Sequence, residues 1–398
     1  MEGVEEEERV SPVGLARARR ALGLIAAISA VSVVLTSCGF QEPPLEPITR
    51  EVLHRVEIPP IEHRTAVMDT MLVDPATATL YVTDGTDPSH QGVDVVDVST
   101  VPGRYEKIIS LGDTLPSGLV LAPDVQRMYT GNDDGTVSVI DVNPASSHYQ
   151  TMIDSVNLNG KLAADLVTYD PADHRVFVNS PDDGFLTAID SRTDKIVGRV
   201  ENVGLLDEPK YDPADGMVYA GAIDDNLIMR IDPRTLKVVQ KWILDVPCEP
   251  HGIGIDPKTN QGVIGCADRD QPVTIAWDFA KGQPLHYFDL AGASDLVMYD
   301  QASNHFIVAA SNYAPAEMAV FSASPITYLT SVPTSHKSHD VAYDDVHHAI
   351  YTYDGRLREA GLWEFPDPVT HCNKELTHCA SEPNVPPPAL NGAPAAGR

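Results

Sequence analysis

The chain has 398 residues, with 57 acidic against 28 basic side chains, a formal charge of −29, 43% hydrophobic residues and five cysteines. A chain this acidic, with no Lys/Arg cluster beyond its first twenty residues, is a poor match for the phosphate backbone, so nucleic acid is not expected as a partner. The apolar content suffices for a sizeable core, and the length fits roughly two or three domains or one closed array of repeats.

Arg17, Arg19 and Arg20 lead into the apolar run 21–34. A mature membrane span takes about 20 apolar residues, so this shorter run reads as the hydrophobic region of a signal peptide covering 1–37. It ends in Leu35-Thr36-Ser37-Cys38-Gly39. That stretch resembles the bacterial lipobox, in which a branched residue and two small ones precede the cysteine that is acylated before cleavage. Cys38 is then the lipidation site, and residues 38–50, rich in proline, form a tether. The expected address is the cell envelope: exported, lipid-anchored to the membrane, and facing the periplasm or the exterior. Four cysteines remain for an oxidising compartment. Cys372 and Cys379 enclose a small loop near the C-terminus, and Cys248 and Cys266 flank one expected hairpin, which suggests those two disulfides. No C-x-x-C-H spacing is present to attach a haem covalently.

From residue 51 to 366 a single unit recurs. Its turns begin at Asp74-Pro75, Ala122-Pro123, Asp170-Pro171, Asp212-Pro213, Asp256-Pro257, Asp300-Gln301 and Asp344-Asp345. A period of roughly 45 residues with strand-type patterning is that of a propeller blade. In each unit an apolar first strand runs into the turn, where Pro fixes φ and Asp can bond back to the backbone. A second strand follows, then a turn rich in Asp, Asn and Gly such as Asn132-Asp133-Asp134-Gly135, then two further strands. Helical periodicity is missing after Cys38. The expected class is therefore all-β, a seven-bladed β-propeller. The last repeat supplies only three strands, so the segment 51–58 is expected to close the ring as its fourth. Residues 367–398 read as the second disulfide loop followed by a Pro/Ala-rich tail too poor in large apolar residues to pack.

Leu80-Tyr81-Val82-Thr83-Asp84, Val137-Ser138-Val139-Ile140-Asp141 and Leu186-Thr187-Ala188-Ile189-Asp190 resemble the repeats of YVTN-type bacterial β-propellers. The resemblance runs from about Val52 to Phe365. It departs from the family in the first and sixth repeats, where the Pro-x-Gly lead-in to the first strand has become Met68-Asp69-Thr70 and Ser294-Asp295-Leu296.

In a propeller the first strand of each blade lines the central channel. Five residues before the successive turns stand Asp69, Ser117, Asp165, Asp207, His251, Asp295 and His339. Shared parity on seven equivalent strands predicts a ring of these side chains at one mouth of the channel. Glu208, Glu249 and Asp340 add charge beside it. Converging carboxylates raise one another's pKa unless protons or cations intervene, so a cation or polar ligand is one reading, and a wet channel holding only water is the other. His251, Asp295 and His339, from three consecutive blades, are the candidate ligands of a divalent metal ion, the one cofactor the sequence suggests. Two functions follow from this. One is a lipid-anchored binding or scaffolding module for a protein or small ligand. The other is a metal-dependent lyase or lactone hydrolase working at the channel mouth, similar in logic to streptogramin lyases and amidating lyases, although their extended motifs are missing.

Overall fold

The computed structural model describes residues 54–59, 68–87, 90–354 and 361–369. These form seven antiparallel four-stranded sheets, and neighbouring first strands contact one another from blade to blade round the channel. Six sheets are built from four consecutive strands each. The seventh takes three strands from the C-terminal end, Ala342–Asp344, Ala349–Tyr353 and Gly361–Pro366, and its outer strand, His54–Glu57, from before the first blade. The register His54↔Glu364 to Glu57↔Gly361 fixes that closure. The expected closing strand is therefore present, and among the described residues its ladder runs over His54–Glu57.

The repeated turn has a physical cause. Asp74, Asp170, Asp212 and Asp256 each accept a backbone N–H two residues on, which sets the turn. The same aspartate can also serve the next blade, since the Tyr299 hydroxyl donates to Asp256 at 3.0 Å. The apolar faces of adjacent blades then pack together. Tyr129, Val137 and Val139 of blade two meet Val167, Val176 and Val178 of blade three, and Phe288 of blade five stands edge-on to Phe321 of blade six with ring centroids 5.0 Å apart. The closing strand buries Val56 against Met68, Val82, Tyr351 and Leu362, which ties the first blade to the last. Cys248 and Cys266 are disulfide-bonded and fully buried at the expected hairpin. Cys38, the signal peptide, the tether, and the Cys372 and Cys379 loop lie outside the described residues.

Glycine is dictated at the lead-in to blade two. A Cβ on Gly118 would lie 2.5 Å from Leu166 Cα, so this position sets how closely the first strands of blades two and three approach. In blade one the same place holds Thr70, whose hydroxyl instead donates to Ser117 O at 2.6 Å. The departure from the Pro-x-Gly pattern thus keeps the contact between blades and changes the group that makes it.

Candidate functional site

The seven expected ring residues are all half-buried, and Asp165 feels the charges of Asp69, Asp207 and Asp295, which brings side chains of blades one, three, four and six near one another. Alternation along a regular strand does not by itself place them there. In blades three, four, six and seven the ring residue precedes the regular first strand, which begins only at Val167, Lys210, Val297 and Ala342. In blades one, two and five the pairing shifts register across the ring position. The cause is a β-bulge. Asp165 N donates to Asn179 O and Asn179 N donates to Leu166 O, so two residues oppose one, and Asp295 and Leu296 oppose Ala309 in the same way. Bulges re-aim side chains. The irregularity recurs in blades one, two, three, five and six at the same offset from the turn.

Around the ring, His339 stands between the carboxylates of the blades on either side. Its Nδ1 is 3.3 Å from Asp69 Oδ1 and 3.5 Å from Asp295 Oδ2. His251 Nδ1 donates to Glu249 O at 2.7 Å, which leaves Nε2 towards Asp207 Oδ2 at 3.6 Å. Asp165 sits among like charges. Burial pushes its carboxyl well above the ordinary range, and Asp69, Asp207 and Asp295 add to the shift, while a hydrogen bond with Ser117 opposes it. Burial likewise raises Asp207 to about 7, with the His251 charge acting against the shift and Asp295 with it. Asp69 is raised by burial and by Asp295, against the pull of His339. Burial disfavours the His251 imidazolium, but Asp207 and Asp295 outweigh it and hold that pKa above its usual value.

The position after the ring residue has a different job. Glu208 Oε2 accepts Ile253 N at 3.2 Å and Oε1 pairs with Lys210 at 2.5 Å, while Asp340 Oδ2 accepts Met71 N at 2.6 Å. Both carboxylates bond first-strand backbone of another blade, so they are structural acceptors as well as sources of charge. Beyond this level a cavity of about 700 Å³ follows the first strands towards the turns at Pro123, Pro171 and Pro213. Its wall is mainly apolar, with Glu208, Lys210 and Asp340 near the ring end.

Of the expected metal ligands His251, Asp295 and His339, Asp295 lies against both imidazoles: its Oδ2 is 3.5 Å from His339 Nδ1 and its charge helps raise the pKa of His251, while Asp207 and Asp69 are further neighbours of the two histidines. Among the described residues, the three side chains whose ligand atoms all lie within 4.8 Å of one another are Asp84, His90 and Asp94, in blade one. Sequence reasoning passed over them. The signal available was a charge inside the otherwise apolar strand Val93-Asp94-Val95-Val96.

No family model matches the chain, and no curated protein does. Among solved structures it is similar to a chain in the crystal structure of a mitotic checkpoint complex, at 13% identity and a TM-score of 0.62, covering 79% of this chain and 93% of that one. Likeness at that identity shows the fold alone. Fold and ring together define a seven-bladed β-propeller with an acidic channel mouth.

Proposed function

We propose that this protein is a lipid-anchored binding module of the cell envelope, of YVTN-type descent, whose channel takes a small organic cation. The ligand's ammonium or guanidinium group would sit at the ring and its apolar body in the cavity. The observation that carries this reading is the surplus of carboxylates over cations at the ring, set above a mainly apolar cavity. Asp69, Asp165, Asp207 and Asp295 act on one another, with two imidazoles and the Ser117 hydroxyl as neighbours. Asp69, Asp207 and Asp295 keep 13–30% of their side-chain surface, which leaves them within reach of a solute. The cavity volume falls in the range of roughly 300–1,000 Å³ typical of small-molecule sites. Crowded carboxylates gain most from a positive ligand, because it removes the mutual repulsion that raises their pKa values.

A thermal-shift panel with agmatine and benzylamine against benzyl alcohol and benzoate tests the charge preference. The amines should raise the melting temperature at pH 8 and the other two should not. Equal shifts for benzylamine and benzyl alcohol would overturn it. Anchoring through Cys38 is checked by metabolic labelling with a palmitate analogue, which should mark the wild-type chain and leave Cys38→Ala unmarked.

A further inference from the structure

Blade one departs from its sister blades at one buried position. The third-strand residue opposite Thr130, Val178, Ile264 and Val308 in blades two, three, five and six is Ser138, Thr187, Ile275 and Ala319. In blade one the residue opposite Val82 is Asp94. The fold therefore accepts an apolar or hydroxyl side chain there and has no need of a charge. A buried carboxylate costs several kcal/mol unless something compensates it, so its presence calls for a partner.

Asp94 is fully buried, and so is Asp84 on the adjoining second strand. One oxygen of Asp84 accepts Thr86 N at 2.7 Å, and one oxygen of Asp94 lies 3.2 Å from His90 Nε2. The other oxygen of each carboxylate, Oδ2 in both cases, is buried and accepts no hydrogen bond. The same His90 Nε2 is 3.9 Å from Asp84 Oδ2. The orphaned Asp84 Oδ2 and the bonded Asp94 Oδ1 face one imidazole nitrogen, and the second orphaned oxygen, Asp94 Oδ2, is buried on the same carboxylate, which together describe a place for a positive charge.

We propose that Asp84, His90 and Asp94 form a binding site for a divalent transition-metal ion, manganese(II) or zinc(II), within blade one. One oxygen from each aspartate and Nε2 of His90 would supply three ligands. A tetrahedral ion with bonds of about 2.1 Å spaces its ligand atoms about 3.4 Å apart. The observed separations of 3.2 and 3.9 Å bracket that value. Two carboxylates and a neutral imidazole balance a dication, which removes the cost of burying Asp94 and its repulsion with Asp84. Burial and that repulsion otherwise push Asp84 up to about 7. The His90 side chain keeps 16% of its surface, so the site is not sealed from solvent. The site shares no residue with the channel ring and stands or falls separately from it.

The test uses the tag-free full chain, stripped with chelator, and calorimetric titration with MnCl₂ and with ZnCl₂ at pH 7.5. The wild type should bind one equivalent that Asp94→Ser weakens at least tenfold, while Asp165→Asn in the ring leaves it unchanged. Serine is what blade two carries at this register, so Asp94→Ser is compatible with the fold, and His90→Gln provides a second variant. Manganese should raise the wild-type melting temperature and leave that of Asp94→Ser unmoved. No bound equivalent of either ion, or undiminished binding in both variants, would overturn the site. The two carboxyl groups would then be sharing a proton.

Discussion

Closure of the ring by the N-terminal strand can be weighed on two side chains. Val56 and Ile58 are each 2% exposed and pack in the cluster that joins blade one to blade seven. Truncating Val56 to Ala removes two methyl groups, worth about 1.6 kcal/mol before any cavity term. Ile58→Ala adds about 2–5 kcal/mol. The double variant should therefore lose about 3.6–6.6 kcal/mol, a large part of the 5–15 kcal/mol that holds a typical domain together. With an m value of about 3 kcal/mol/M, the urea midpoint should fall by about 1.2–2.2 M. Fluorescence of Trp277 in blade five and Trp363 in blade seven should report one shared transition, because each blade buries its faces only against its neighbours. Val239→Ala, at a half-exposed site on an outer strand, is the control and should change stability by less than about 0.5 kcal/mol. A midpoint shift in the double variant no larger than that of the control would show that the ring is closed by something other than 54–58.

The buried Cys248–Cys266 bridge, spanning 18 residues, should contribute about 3 kcal/mol, so Cys248→Ser with Cys266→Ser should lower the urea midpoint by about 1 M. Gly118→Ala should cost about 1–3 kcal/mol, read by thermal melting, because the new Cβ meets the backbone of Leu166. Asp207 is raised in the folded state, so its penalty is absent below about pH 4, grows as pH climbs, and is complete above its folded value of about 7. Asp207→Asn should accordingly match the wild type near pH 4 and exceed it by about 2–4 kcal/mol at pH 8, measured by urea denaturation at both values. A gain that is the same at both values would contradict the assignment.

The blades could be read from the sequence because their causes are local. An aspartate that bonds the backbone two residues on marks Asp74, Asp170, Asp212 and Asp256, and the spacing between such turns counts the blades. The offset that selects Asp69 to His339 is local for the same reason, since a fixed distance before seven turns reaches seven equivalent sequence positions. What the sequence could not show is how the offset acts. The bulge that places Asp165 and Asp295 is a matter of which carbonyl each N–H finds, and nothing in the residue types announces it. Contacts between blades were hidden for the same reason. Glu208 and Asp340 look like more acidic charge until their partners, Ile253 N and Met71 N, are brought beside them. Two imidazoles and a carboxylate at equal steps suggest a metal triad, but the spacing does not announce the further neighbours, Asp207 beside His251 and Asp69 beside His339.

The central claim is that the crowded carboxylates at the channel mouth recognise a cation. Calorimetric titration of agmatine into the wild type and into Asp165→Asn/Asp207→Asn, at pH 8 and at pH 5.5, tests it most directly. Lowering the pH protonates Asp207, which burial raises to about 7, and leaves His251, whose pKa Asp207 and Asp295 hold above its usual value, charged at pH 5.5, so both groups then work against a cation. The account predicts binding at a single site in the wild type at pH 8, weakened at least tenfold by the double substitution and to a similar extent by the acid shift. Affinity unchanged by both would contradict it.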